Sequence, residues 1–239
     1  MPGERRLRIL ERLVGSGTLG LEAKRLCEVC ADVTGMTGAG IMLMSGDVPS
    51  GSVCSTNQVS ALLEQLQYTL GEGPCVDAYQ KERPVYEPDL ADPASARWLA
   101  FAGPAIEAGA RAVFGFPLRV GMARLGSLNL YRDRTGRLSD EQHADALVMA
   151  DISAEAVLMF QANAPPGALA VELETSGDFQ YVVHQASGMV AAQLEGTVSN
   201  ALIRLRGYAF ANDRALKDVA RDVVARKLRF EPTEIEESA

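Results

Sequence analysis

The chain has few residues of the types that bind metals or form redox centres. Its 239 residues include two histidines, His143 and His184, and four cysteines. The histidines fall in different predicted helices with no cysteine at ligand spacing, so we predict no zinc or other metal site. Cys27 and Cys30 form a C-x-x-C pair within a helical pattern, LEAKRLCEVCADV. Because this spacing places both thiols on one helix face, we interpret them as core residues rather than a redox or metal pair.

Long apolar runs and a secretion signal are also missing. No run approaches the roughly 18 apolar residues that cross a bilayer, so we predict no membrane partner. The first ten residues, MPGERRLRIL, contain no apolar core with a small-residue cleavage site. We therefore expect a cytoplasmic protein in which all four cysteines are reduced. The composition, 47% hydrophobic and 23% charged, is typical of a folded globular chain.

Hydrophobic periodicity predicts an α+β domain followed by a smaller helical domain. A long helix is predicted to begin after Ser139, which can cap it with Gln142 as the capping-box partner. A kink or a break is predicted at Pro104. The predicted helices cover residues 5–34 (interrupted near Gly15), 59–67, 75–82, 96–110 and 139–164. The predicted hairpins pair residues 39–46 with 51–56, through a DVPS turn, and 111–120 with 124–133.

The segment Pro165-Pro166-Gly167 is the best candidate for a domain boundary, because these residues cannot continue the preceding helix. We therefore divide the chain into three parts. Residues 1–164 form the α+β domain, in which helices flank an antiparallel sheet. Residues 165–174 form a linker, and residues 175–239 form a three-helix domain.

The last part of the chain differs in charge from the rest. Between residues 181 and 230 there are eight basic and four acidic residues, a local charge of +4 in a chain of net charge −8. A positive segment attached to an acidic body favours a polyanionic partner at that end. The alternative is a solvated helix surface.

The order of elements in the first domain resembles that of a GAF domain, a small-molecule sensory module. The most specific match is LGEGPCVDAYQKERPVYEPDL at 70–90, followed by FPLRV at 116–120 and LGSLNLY at 125–131. The resemblance covers most of residues 20–160 and implies the fold. GAF modules bind cyclic nucleotides, haem, bilins or other compounds, and some bind nothing. The cofactor therefore remains unknown.

A ligand pocket, if present, is expected between the sheet and its covering loops. Its candidate walls, which could equally be plain core, are Met42, Met44, Cys54, Cys75, Tyr79, Trp98, Phe114 and Phe116. Cys75 stands at a loop-to-helix junction, where a helix N-terminus can lower a thiol pKa; the alternative is a small buried side chain. Some GAF-fold proteins reduce free methionine sulfoxide, and Cys54 with Cys75 would serve that alternative. Otherwise we predict no catalytic residue and no enzymatic activity.

Residues 181–228 resemble the ANTAR domain, an RNA-binding module of bacterial transcription antiterminators. The matching pieces are ASGMV at 186–190, NALIRLR at 200–206, AF at 209–210 and LKDVA at 216–220. A GAF domain of the G-E-G-P-C type followed by an ANTAR domain is a familiar actinobacterial architecture. The resemblance implies binding to paired stem-loops in leader mRNA, which prevents a terminator hairpin from forming.

Helical geometry selects among the basic residues of this tail. At 100° per residue, Arg214, Lys217 and Arg221 form a stripe along one border of the last helix, a candidate track for phosphates. Arg206 belongs to the Leu-Arg pair of the family and is preferred to Arg204, which points to nearly the opposite side. Gln185 and Gly188 complete the candidate RNA-binding set.

Ser187 departs from the ANTAR pattern. Many members of the family have a lysine at this position, so we expect a phosphate contact to be lost there. Gln185 and His184 could donate hydrogen bonds beside it. Gly188 is expected to permit close approach of either RNA or a neighbouring helix.

Together these features predict a signal-responsive antiterminator. The GAF domain would sense a small molecule or a redox state, and the helix at 139–164 would relay the signal to the RNA-binding tail. A homodimer is expected, with an interface formed by the N-terminal helix and Leu147, Ile152, Val157 and Phe160. The remaining alternative is a protein-interaction module whose tail docks a protein instead of RNA.

Overall fold

The computed structural model describes residues 2–14, 22–45, 48–93, 97–162, 177–212 and 214–231. The chain forms two compact units, residues 1–176 (unit 1) and 177–239 (unit 2). The predicted hinge at Pro165-Pro166-Gly167 lies outside the described residues. Unit 1 contains α1 (Pro2–Val14), α2 (Ala23–Thr34), β1 (Gly38–Ser45), β2 (Val48–Ser55), α3 (Gln58–Leu70), α4 (Pro74–Lys81), β3 (Val85–Glu87), α5 (Leu99–Glu107), β4 (Ala112–Val120), β5 (Ala123–Arg132) and α6 (Asp140–Ala162). Unit 2 contains α7 (Gly177–Gln193), α8 (Val198–Ala211) and α9 (Leu216–Val224).

The five strands form one antiparallel sheet in the order β2-β1-β5-β4-β3. Successive side chains of a strand point to opposite faces of the sheet. Ile41, Leu128 and Phe114 lie on the face that packs against α1, α2 and α6, which we call the α2/α6 face. Val113 and Tyr131 lie on the opposite face with residues of α3, α4 and α5, which we call the α3/α4 face. The predicted antiparallel sheet with flanking helices is confirmed.

Local sequence determines where the helices begin. The predicted capping box of α6 is confirmed, since Ser139 Oγ accepts from the Gln142 amide at 3.2 Å and Gln142 Oε1 accepts from the Ser139 amide at 3.0 Å. Asn57 and Ser60 close an equivalent box on α3, with both bonds at 2.9 Å. Each box provides partners for amides that the first helical turn leaves without one.

Two predicted boundaries move in the structure. β2 begins at Val48, inside the DVPS segment predicted as a turn, so the first hairpin is tighter than expected. The helix predicted over 96–110 spans Leu99–Glu107 and continues through Pro104. Proline at this position removes one backbone hydrogen bond but does not end the helix.

Cys27 of α2 and Cys54 of β2 form a disulfide, with their Cα atoms 6.2 Å apart. The prediction that all four cysteines are reduced is therefore wrong for this pair, while Cys30 and Cys75 are free and buried. The first hairpin carries β2 back against α2. The partner of Cys27 is consequently 27 residues away in sequence rather than at Cys30, and the C-x-x-C spacing gives no sign of it.

One side of α6 packs against the sheet and α2 within unit 1. Ile152, Val157 and Phe160 are 4%, 4% and 8% exposed and belong to the core on the α2/α6 face. The prediction that these three form a dimer interface is therefore wrong, because packing within unit 1 already covers them. Leu147 is 41% exposed and remains available on the surface of α6.

Unit 2 is a bundle in which α7 contacts both α8 and α9. Its core consists of small and aliphatic side chains that recur at helical spacing, among them Val183 and Val190 of α7, Leu205 of α8 and Val219 of α9. Thr197 caps α8 by accepting a hydrogen bond from the Asn200 amide at 3.2 Å. These three helices are consistent with the predicted three-helix domain. No helix in the described parts of either unit is long and apolar enough to cross a membrane.

Candidate functional site

The sheet separates the eight residues predicted to line one ligand pocket. Phe114 and Phe116 lie on the α2/α6 face, in the same core cluster as Cys54. Met42 lies on the α3/α4 face, because it pairs with Ser127 of β5, whose side chain contacts α4. The other four, Met44, Cys75, Tyr79 and Trp98, are buried outside that core cluster. The eight residues therefore do not surround one cavity. Period-two alternation identifies residues that share a face within one strand but not the relative phase of two strands.

A cluster of buried polar side chains occupies the α3/α4 face. It consists of Glu64 and Gln67 of α3 with Ser127 and Asn129 of β5, each no more than 2% exposed, and we call it the polar cluster. Asn129 Nδ2 donates to Glu64 Oε1 at 3.1 Å. Gln67 Oε1 accepts from the Cys75 amide at 2.7 Å, and Ser127 Oγ donates to the Cys75 carbonyl at 2.8 Å. These bonds connect α3, α4 and β5 through polar groups rather than apolar contacts.

The G-E-G-P-C motif forms one wall of the polar cluster. Gly71 ends α3 with φ of +69°, and Gly73 precedes α4 with φ of +131°. A Cβ atom at Gly73 would lie 2.6 Å from Gln67 Cγ, so a side chain there would displace Gln67. Glu72 Oε1 accepts from two backbone amides in the first turn of α5, at 2.8 and 2.9 Å. The motif thus ends one helix, starts the next and caps a third.

Burial controls the ionisation of Glu64. Removal from water raises its pKa to about 8, although the hydrogen bond from Asn129 opposes the shift. The carboxyl group is therefore mostly protonated at neutral pH. Glu64 Oε2, Gln67 Nε2 and Asn129 Oδ1 have no hydrogen-bond partner among the described residues. The polar cluster thus contains both donors and acceptors without partners among the described residues.

Cys75 lies at the start of α4, where the sequence indicated a thiol of lowered pKa. In the structure burial raises its pKa, the nearby Glu64 raises it further, and a hydrogen bond with Gln67 lowers it. Of the two interpretations of Cys75, the structure therefore favours the small buried side chain over the reactive thiol, because desolvation exceeds the effect of the helix terminus. Cys54 is bonded to Cys27. The Cys54–Cys75 pair required by a sulfoxide reductase is not assembled.

The two histidines lie on different helices, His143 on α6 and His184 on α7. Within the described ranges, no three His, Cys, Asp or Glu side chains lie together in a geometry that could hold a metal ion. His143 Nδ1 lies 3.2 Å from the hydroxyl of Tyr86, and its ring packs on Phe116 with centroids 6.1 Å apart. His143 therefore helps to cover the α2/α6 face.

The sequence and the fold of unit 1 are similar to those of known proteins. Residues 23–157 match the sequence model of the GAF domain. The chain belongs to the GAF domain family. This membership indicates a signal-sensing regulatory module, and we call unit 1 the GAF unit. No curated protein matches the sequence.

Two solved GAF domains share this fold with the GAF unit. One comes from a phosphoenolpyruvate-protein phosphotransferase of Acinetobacter, at 15% identity over 68% of this chain and 96% of that chain, with a TM-score of 0.50. The other comes from a phosphoenolpyruvate-protein phosphotransferase of Coxiella burnetii, at 13% identity over 66% of this chain and 96% of that chain, with a TM-score of 0.50. Identities this low show the fold alone.

The predicted RNA-binding residues of unit 2 differ in accessibility. Gln185 and Gly188 are both exposed on α7. A Cβ atom at Gly188 would have no neighbour within 4 Å, so no packing helix requires glycine there. Arg206 is half-buried on α8, and Lys217 is half-buried on α9. These positions lie on three different elements of the bundle, α7, α8 and α9.

The predicted cationic stripe is shorter in the structure. α9 begins at Leu216 and Ala215 is extended, so Arg214 precedes the helix and the predicted phase does not apply to it. Only Lys217 and Arg221, one turn apart, share that border. Arg214 forms an ion pair with Asp222 at 2.6 Å, and Arg221 with Asp218 at 3.5 Å. Acidic residues of the same helix thus offset part of the positive charge.

Ser187 does not lie on the surface of unit 2. It is 1% exposed and its hydroxyl donates to the Val183 carbonyl at 2.8 Å. The side chain therefore faces the interior of the bundle, and the predicted loss of a phosphate contact at this position stays a prediction. The bond to the carbonyl four residues earlier gives the buried hydroxyl a partner within the helix, at a slight cost in helix stability.

Sequence reasoning gave no role to the basic turn that follows α9. Arg226, Lys227 and Arg229 are all exposed. The turn is fixed at its far end, where the Phe230 amide donates to Gln193 Oε1 at 2.9 Å and its ring packs edge-on against Tyr208 at 5.5 Å. Three cations on a positioned turn add a second positive surface to unit 2.

Proposed function

We propose that this protein is a signal-responsive RNA-binding regulator that acts as a transcription antiterminator. The GAF unit senses a small molecule or a redox state, and unit 2 binds stem-loops in leader mRNA. The observation that carries the proposal is the ANTAR-like sequence of unit 2, which folds as three helices with exposed polar and cationic residues. In this account the protein is a regulator and not an enzyme.

The charge and exposure of unit 2 support RNA as its partner. Arg214, Arg221 and the basic turn at 226–229 are exposed on a bundle attached to an acidic chain. Arginine and lysine contact phosphates and release counterions from the nucleic acid. Protein side chains cannot read the deep groove of duplex RNA, whereas loop bases are open to hydrogen bonding and stacking. A compact bundle with several cationic edges therefore suits a stem-loop.

Two features of the GAF unit support the sensing half of the proposal. The polar cluster has three buried hydrogen-bonding atoms without partners among the described residues, and the protonated Glu64 favours an uncharged polar ligand. The Cys27–Cys54 disulfide links α2 to β2 and would be broken by reduction. We propose that α6, the last described helix of the GAF unit, relays the sensed state toward unit 2.

A homodimer forms part of the proposal. Paired stem-loops match the two-fold symmetry of a dimer. Leu147 of α6 and Leu7 of α1 are 41% and 62% exposed, so both helices offer apolar surface to a second copy. The proposed dimer interface therefore uses these exposed residues and not the buried positions of α6.

The proposal is tested with a pool of stem-loop RNAs that have randomised loops, selected on the full-length protein. Lys217→Ala is expected to weaken binding to all enriched RNAs about fivefold near physiological salt, because it removes one phosphate contact. Lys24→Ala is the control, since Lys24 is 68% exposed on α2 of the GAF unit and should leave affinity unchanged. If no RNA is enriched while the same immobilised protein retains a protein partner, the protein-interaction alternative replaces the proposal.

A further inference from the structure

α8 exposes two large apolar side chains that unit 2 does not use in its core. Ile203 is 58% exposed and Phe210 is 77% exposed. At 100° per residue, Ile203, Gly207 and Phe210 fall within about 60° of one another. The buried residues Leu205 and Ala209 point to the opposite side of the helix. The exposed residues thus form a short apolar stripe along the surface of α8.

The middle of this stripe is open. Ile203 and Phe210 are separated along the helix axis by about 10 Å, the rise of seven residues. Gly207 lies between them with no side chain, and a Cβ atom there would meet nothing within 4 Å. The result is a shallow notch with backbone as its floor, Ile203 on one side and the Phe210 ring on the other. A flat ring about 3.4 Å thick, the stacking distance of nucleic acid bases, fits in this space.

The charges beside the notch indicate what kind of molecule would enter it. Arg206 precedes Phe210 by one turn and borders the stripe on one side, and Arg204 borders it on the other. An apolar stripe flanked by two arginine positions complements a ligand that combines a flat aromatic ring with negative charge. A nucleotide has both properties, and an exposed base stacks readily on an aromatic side chain.

We propose that Phe210 and Ile203 hold an unpaired RNA base over Gly207, so that α8 provides the contact to the loop of a stem-loop. The inference rests on the proposed RNA binding and adds to it the part of the RNA that is recognised. Phosphate contacts from the cations position the RNA. The notch distinguishes a loop from a continuous duplex, because only an unstacked base can enter it.

The test measures binding of the full-length protein to an enriched stem-loop RNA, to the same RNA with abasic loop nucleotides, and to a loop-free duplex. Phe210→Ala is expected to weaken binding to the intact stem-loop roughly 5- to 150-fold, the usual cost of losing one base–aromatic stack. It should leave the salt dependence and duplex binding unchanged, and the abasic loop should remove the difference between variant and wild type. Val198→Ala, an exposed apolar residue of the same helix at 51% exposure, is the matched control.

A second variant reports on stacking directly. Phe210→Trp is expected to retain affinity, and its fluorescence should fall when the stem-loop binds, whereas the single natural tryptophan, Trp98, is buried in the GAF unit. Equal affinity of Phe210→Ala and Val198→Ala for the intact loop would overturn the inference while leaving RNA binding in place. A change in oligomeric state with unchanged RNA affinity would assign the stripe to a protein interface instead. Failure of the wild type to bind RNA at all would reject the proposed function itself.

Discussion

Replacement of Glu64 by glutamine is expected to remove most of the pH dependence of the stability of the GAF unit between about pH 5 and pH 8. The folded state holds the Glu64 proton up to a pKa of about 8, whereas the unfolded chain releases it near the ordinary pKa of a glutamate, about 4.3. The folded state therefore binds more protons in this range, and the free energy of unfolding falls as pH rises through it. Each pKa unit corresponds to 1.36 kcal/mol, so the free energy of unfolding falls by at most about 5 kcal/mol over this range.

The glutamine variant should be more stable than the wild type above pH 8, because it remains neutral and can still accept the hydrogen bond from Asn129. Urea unfolding at several pH values, followed by Trp98 fluorescence, isolates the transition of the GAF unit, since Trp98 is the only tryptophan and is 4% exposed there. Glu107→Gln, at an exposed position of α5, serves as the control and should keep the wild-type profile. If Glu64→Gln also keeps that profile, Glu64 is not buried as a neutral acid.

Reduction of the Cys27–Cys54 disulfide is expected to lower the free energy of unfolding of the GAF unit by about 3 to 4 kcal/mol. The bond closes a loop between residues 27 positions apart. A cross-link of that span lowers the conformational entropy of the unfolded chain and so stabilises the folded state by this amount. The effect should appear as a lower urea midpoint when dithiothreitol is added. The double variant Cys27→Ala, Cys54→Ala should show no further change with dithiothreitol.

Counting free thiols in the unfolded protein before reduction provides an independent check. Two thiols, Cys30 and Cys75, are expected. Four free thiols together with an unchanged midpoint would show that the bond does not form, and the redox part of the proposed sensing would be abandoned. Two free thiols with a shifted midpoint would support a GAF unit whose rigidity depends on the redox state of its surroundings.

Sequence patterns predicted the architecture because the relevant signals are local. The capping box at Ser139 and Gln142 and the alternation of β4 and β5 depend on residues a few positions apart. The polar cluster was missed because it joins Glu64 to Asn129 across 65 residues. A signal was nevertheless present, since Ser127 and Asn129 alternate with Leu128 and Leu130 in an otherwise apolar strand.

The differences in unit 2 have equally specific causes. Helical phase puts Arg214 on the border of α9 only if the helix begins before Leu216, and in the structure it begins at Leu216. The family pattern indicates which residue type is usual at Ser187 but not that this position is buried in the bundle. Both differences concern the boundary or the rotation of a helix, which tertiary packing determines. The exposure of Phe210 cannot be predicted for the same reason, because the sequence does not indicate which face of α8 packs in the bundle.

The most direct test of the account measures the affinity of the full-length protein for one selected stem-loop RNA across a series of salt concentrations. The account predicts that the logarithm of the binding constant falls linearly with the logarithm of salt concentration. It also predicts that Lys217→Ala reduces the magnitude of the slope by about 0.7 to 0.9, the release of one counterion. Binding that does not depend on salt, or an unchanged slope in the variant, would contradict the claim that unit 2 binds RNA through its cations.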